Sequence, residues 1–135
     1  PISLAAALAT ISVYEEDGLL ENAARLGARM HEHHERLAAK HPSVGAVRNI
    51  GLFGIIELTR NRTTLEPMAP MTGSSPEMAA LGKAFRQAGL YTFVRWHTFF
   101  TNPPLCITEA EMRALYESPA FPLKRADKTK KSAAA

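Results

Sequence analysis

Residues 44–58 read VGAVRNIGLFGIIEL, and the fold turns on how this stretch is taken. Val44, Val47, Ile50, Phe53, Ile55, Ile56 and Leu58 are β-branched or large and apolar, with glycines at 45, 51 and 54. Apolar runs of this kind, punctuated by glycine, predict strand, bend, strand. Gly51 and Gly54 flank Leu52 and Phe53, where the backbone is free to twist or to approach a neighbour closely.

On the N-terminal side the period changes from two to about 3.6. Leu19, Ala23, Leu26, Met30, His33 and Leu37 recur at spacings of three and four, which predicts a helix over 19–39 with one buried stripe. Pro42 ends it. A further helix is expected over 3–16, where Ile2, Leu4, Leu8, Ile11 and Val13 mix with four alanines, and Gly18 closes it. That helix has no solvent face, and too little chain remains to cover it. The sequence does not begin with Met. The expectation is therefore a C-terminal piece of something larger.

On the C-terminal side, residues 60–74 contain Pro67, Pro70 and Gly73 and read as loop. Ser75-Pro76-Glu77 is a strong helix start, with a hydroxyl cap, proline in the first turn and an acid beside the helix dipole. That helix should stop near Gly89. Strands are expected over 90–95 and 98–101. Thr108-Glu109-Ala110-Glu111 has the capping-box pattern and opens a helix of about two turns before Pro119.

Composition excludes several classes. The 135 residues include a single cysteine, so no internal disulfide is possible. The first apolar segment is too short to span a bilayer and lacks the basic start of a signal peptide. The net charge of +3 resides in residues 117–135, a polar tail with five basic and two acidic side chains, while residues 1–116 carry eleven of each sign. The body of the chain thus has no bulk case for nucleic acid.

Candidate chemistry is sparse. In His31-Glu32-His33-His34-Glu35 the position four after His31 is Glu35, so the two-histidine zinc motif is absent, and the run reads as solvated or packing. GLFG at 51–54 is no phosphate loop, because it enters a strand rather than a helix. Ser75 reads as a plain cap rather than an anion site, and Cys106 as a buried thiol. Arg95 stands out. It ends an apolar run and is followed by Trp96 and His97, a setting for either a surface ion pair or a planar clamp on a carboxylate. Asn102-Pro103-Pro104 stiffens the connection that follows.

Four ordered segments carry a resemblance: PISLAAALATISVYEEDGLLENAARLG, VGAVRNIGLFGIIEL, GLYTFVRW and FTNPPLCITEAEM. Together they resemble the C-terminal part of a class III aminotransferase, an enzyme of pyridoxal-phosphate fold type I, over about residues 1–116. Within the family, GLYTFVRW and NPPLCITE look most like the taurine–pyruvate and other ω-amino acid–pyruvate enzymes. The resemblance implies an α+β fold, the small C-terminal domain of such a transferase. Residues 1–17 would be a residual large-domain helix, 18–43 a connecting helix, 44–116 the small domain and 117–135 the basic tail. The family's final helix continues further, whereas SPAFP at 118–122 interrupts it here.

The same resemblance implies a function. The complete enzyme would use pyridoxal 5'-phosphate to move an amino group from an ω-amino acid or amine to pyruvate or a related 2-oxo acid. It would be a cytoplasmic homodimer. The Schiff-base lysine and the cofactor ligands would precede residue 1, so no catalytic, cofactor or metal residue is assigned here, and this chain alone should not transaminate. What remains is substrate binding. Arg95 matches the family's carboxylate-gripping arginine, although its spacing to Pro103 is about two residues shorter than in some relatives; Trp96 and Phe93 would shape the pocket. The rival reading is a non-enzymatic module that docks on a partner through its apolar first helix, one such partner being the N-terminal part of the same enzyme.

Overall fold

The computed structural model describes residues 1–118 and Leu123. Helices α1 (Ile2–Glu16) and α2 (Leu19–Lys40) lead into strands β1 (Val44–Ile50) and β2 (Phe53–Asn61). The short β3 (Glu66–Pro67), α3 (Pro76–Gln87), β4 (Val94–Arg95), β5 (Thr98–Thr101) and α4 (Glu109–Glu117) follow. All pairings are antiparallel, in the order β1-β2-β5-β4, with β3 on β2. The result is an α+β unit in which α2, α3 and α4 pack into one core with the sheet.

Strand parity sorts the side chains. Val47, Ile56, Phe99 and Val94 stand in one cross-strand row on the helix side. Phe99 packs on Phe85 of α3 with ring centroids 5.0 Å apart and the ring planes tilted. Leu26, Met30 and Leu37 of α2 join the same core, as do Met78 and Leu81 of α3, Met112 of α4 and Leu123. The β1–β2 hairpin turns at Gly51, whose φ of +52° suits glycine. Its tip lies against α2. Asn49 Nδ2 donates to Gly27 O at 2.9 Å and to Gly51 O at 2.8 Å. A methyl group on Gly27 would stand 2.6 Å from Gly51 Cα.

The caps form as their residues predict. Ser75 Oγ accepts from Met78 N, and Thr108 and Glu111 exchange both bonds of the capping box. Helix α1 buries no residue. Ile2, Leu4 and Leu8 are each more than 60% exposed, as expected of a helix with no polar face that meets little else than the start of α2. Among the described residues no helix is long and apolar enough to cross a membrane.

Three expectations need correction. The strand expected over 90–95 is paired only at Val94 and Arg95. Its partner β5 ends at Thr101, and Pro103 and Pro104 have no N–H with which to extend the ladder. The loop expected over 60–74 is shorter, because β2 runs to Asn61 and Glu66–Pro67 pairs back onto it. Cys106 is exposed rather than buried: Leu105 and Ile107 on either side take the half-buried positions, so the intervening thiol faces out. Apart from Glu117, Ser118 and Leu123, the tail and the expected interruption at 118–122 lie outside the described residues.

Candidate functional site

The side of the sheet away from the helices is open, and the pairing fixes what it displays. One cross-strand row runs Arg95, Thr98, Glu57, Ala46. The next runs Phe93, Phe100, Ile55, Arg48, with Phe100 N donating to Phe93 O at 3.0 Å. Ile50 and Phe53 pair beyond it. Phe93 and Phe53 both pack on Phe100, at 5.4 and 5.8 Å between ring centroids. A charged and polar row thus adjoins an aromatic one.

Within the polar row the charges are unequally satisfied. Glu57 is bonded to Arg48 in a diagonal pair. Arg95 lies two strands from Glu57, about 10 Å away at the usual strand spacing. It is exposed and has no carboxylate partner among the described residues. Its guanidinium lies over the Trp96 ring, 4.2 Å from the centroid. The β4–β5 loop is only Trp96 and His97, closed by Thr98 Oγ1 donating to Arg95 O at 2.9 Å and by Leu58 N donating to His97 O at 2.7 Å.

The histidines separate. His31 is exposed and 3.0 Å from Asn49 through Nδ1. His33 stacks on Tyr116 at 4.8 Å. His34, absent from the stripe read in the sequence, is fully buried, with Nε2 2.9 Å from Tyr116 Oη and 3.1 Å from Thr101 Oγ1. Burial holds its pKa down at about 4, with His31 and His33 adding to the effect. Burial raises the Tyr116 hydroxyl. This cluster ties α2, β5 and α4 together. Its signal in the sequence was weak, because its members are 67 and 82 residues apart. No group of three potential metal ligands occurs among the described residues.

An apolar groove of about 480 Å³ lies between Phe85 of α3, Phe99 of β5 and Leu115 of α4, with Pro103 and Pro104 at its rim. Arg95 does not line it. At the start of α3 the Glu77 carboxylate takes an Arg60 guanidinium at 2.7 Å, and that bond holds its pKa near 2.

A pyridoxal phosphate would need an enclosed lysine and a phosphate cradle. The described residues hold two lysines, Lys40 and Lys83, both exposed on helices. The start of α3 already carries Glu77 and the Ser75 cap, which does not suit a phosphate. Among the described residues, therefore, neither lysine is enclosed as the cofactor would need.

A family described as aminotransferase class III matches residues 1–119. The taurine–pyruvate aminotransferase of Bilophila wadsworthia (strain 3_1_6) is 39% identical over 115 residues, covering 80% of this chain and 24% of that protein. The enzyme of the same name from Rhodobacter capsulatus is 34% identical over 128 residues, covering 90% of this chain and 27% of that one. Among solved structures, the taurine:2-oxoglutarate aminotransferase of Bifidobacterium kashiwanohense, in complex with PLP and glutamate, matches with a TM-score of 0.83 at 26% identity. That match covers 90% of this chain and 27% of that structure. The chain therefore spans about a quarter of the length of the relatives it matches.

Proposed function

The chain belongs to the class III aminotransferases, with the α+β fold of a stretch of the fold-type I pyridoxal-phosphate transaminases, and on that footing we propose that it is the C-terminal part of such an enzyme. The complete protein, a cytoplasmic homodimer on this reading, moves an amino group from an ω-amino acid or amine to pyruvate or a related 2-oxo acid. Residues 1–17 belong to the large domain, 18–43 connect, and 44–116 form the small domain. The cofactor and its lysine are held by the rest of the enzyme. This chain's contribution is the recognition of a substrate carboxylate by Arg95.

The observation that carries the reading is an exposed Arg95 with no carboxylate partner among the described residues, on an open sheet face beside apolar rings. Its planar fork suits a carboxylate held by two parallel bonds. The uncovered α1 supports the larger assembly, since a helix apolar on every side needs neighbours.

Replacing Arg95 by Ala in the full-length enzyme that carries this segment tests the role. A charge-assisted bond of about 1.5–3 kcal/mol predicts a loss of about 10- to 150-fold in kcat/KM for carboxylate-bearing donors. Simple amine donors should change by less than about 2-fold. Equal losses on both would remove Arg95 from the site. The 135-residue chain mixed with pyridoxal phosphate should leave the cofactor's spectrum unchanged, and a stoichiometric lysine adduct trapped by borohydride would overturn the assignment of the lysine elsewhere. The alternative, a docking module acting through α1, draws on the same exposed helix. In that case the chain alone would bind a partner without any effect of Arg95→Ala.

A further inference from the structure

Trp96 has a backbone φ of +52°, one of two non-glycine residues with positive φ among those described. A bulky side chain there is strained, and such strain persists only where the surroundings impose it. The surroundings are specific. Trp96 and His97 form the whole β4–β5 loop. The His97 carbonyl is anchored to β2 through Leu58 N, and Thr98 Oγ1 closes the turn on the Arg95 carbonyl. The consequence is that the indole, in place of the glycine or asparagine such a turn favours, lies 4.2 Å from the Arg95 guanidinium.

We infer that Trp96 is a positioning residue: the two-residue turn holds its indole against one face of the Arg95 guanidinium, so that the fork is immobilised with its edge free for a substrate carboxylate. The inference rests on Arg95 as the carboxylate clamp and adds how that clamp is aimed. A free arginine side chain loses several rotors when it grips an anion; one already stacked has lost part of that freedom before the ligand arrives. The nearest carboxylate in the row, Glu57, is bonded to Arg48, so within the described residues the ring alone orients Arg95. Trp96 thus acts through Arg95 and does not itself bond the substrate.

The experiment pairs Trp96→Gly with Trp96→Phe. Glycine accepts φ +52° without strain, so the hairpin keeps its shape while the ring is lost; phenylalanine restores a ring face. In the full-length enzyme carrying this segment, Trp96→Gly should raise KM for carboxylate-bearing donors about 5-fold, equivalent to about 1 kcal/mol, with kcat changed less than about 2-fold. Amine donors without a carboxylate should show no such rise. Trp96→Phe should recover most of the loss, and Trp96→Gly should add nothing in an Arg95→Ala background. Trp96 is the sole tryptophan of the 135 residues. In the chain itself, the Arg95 Nε–Hε resonance should therefore show an indole ring-current shift that Trp96→Gly abolishes. Unchanged KM in Trp96→Gly, or equal rises for amines and carboxylates, overturns the positioning role. If Arg95→Ala also spares carboxylate donors, the clamp itself fails; if only Trp96→Gly is silent, the clamp stands and the positioning does not.

Discussion

His34 makes the stability of this unit depend on pH well above the range where carboxylates titrate. Its ring is fully buried, with Nε2 within hydrogen-bond distance of Tyr116 Oη and Thr101 Oγ1, and its Nδ1 is enclosed without a partner among the described residues. Protonation would place a charge in a buried site, and the nearby His31 and His33 oppose it further, so the ring stays neutral down to about pH 4. The unfolded chain takes up the proton near pH 6.5. Between those values the unfolded state binds more protons, so stability is complete above about pH 6.5 and is lost as pH falls toward 4. The loss comes to about 2 kcal/mol between pH 7 and pH 5, and about 3 kcal/mol by pH 4.

Neighbouring groups sharpen the test. His33 is also lowered, chiefly by burial, and adds in the same direction. Glu77, held near pKa 2 by Arg60, loses its contribution only as pH falls through the ordinary glutamate value of about 4.5, so it changes little between pH 7 and pH 5. Urea unfolding of the chain at pH 7, 6 and 5 measures the drop directly. His34→Gln keeps a polar partner for Tyr116 and cannot titrate, so it should lose less than half as much over the same interval, although it starts about 1–2 kcal/mol less stable. A wild-type loss below about 0.5 kcal/mol, or an undiminished loss in His34→Gln, would refute the buried neutral imidazole.

Gly27→Ala should destabilise by about 1–3 kcal/mol, because the added methyl would meet the Gly51 backbone at 2.6 Å, and this clash outweighs the roughly 1 kcal/mol that alanine gains in a helix; thermal unfolding that showed stabilisation would mean that the hairpin tip does not rest on α2. Glu77→Gln removes the charge from the pair with Arg60 while keeping the Ser75 cap, and because Arg60 is partly exposed the cost should be only about 1 kcal/mol at pH 7. That difference should vanish as pH falls from about 4.5 toward 2, where the wild-type carboxylate itself takes up a proton.

Local rules explain what could be read from the residues alone. Ser75-Pro76-Glu77 and the Thr108–Glu111 box start their helices where the chemistry of free helix N–H groups demands, and the glycine-punctuated apolar run at 44–58 forms its hairpin. The uncovered state of α1 also followed, since a helix without a polar side declares its need for neighbours. What escaped was non-local. His34 directly follows a stripe residue, and it is buried because α4 brings Tyr116 over the same flank of α2. The apolar residues at 90–93 have the composition of a strand, but β5 gives them no partner beyond Phe100. Nothing in a Trp-His pair announces a backbone at φ +52°.

The candidate site shows how the two kinds of information combine. Arg95 stood out by type, but its role depends on which side of the sheet it faces, and that is a question of parity. Phe99 is locked between the sheet and Phe85, and Val94 pairs with it, facing Gly82 of α3. Those contacts force Arg95 and Phe93 to the open side, because successive side chains alternate. A one-residue slip in β4 would turn the guanidinium into the core and expose Val94, so the buried pair enforces the register. The loop of two residues then leaves no slack to undo it. Thus the apolar packing on the helix side, rather than any contact of Arg95 itself, puts an arginine without a carboxylate partner among the described residues on the open face of the sheet.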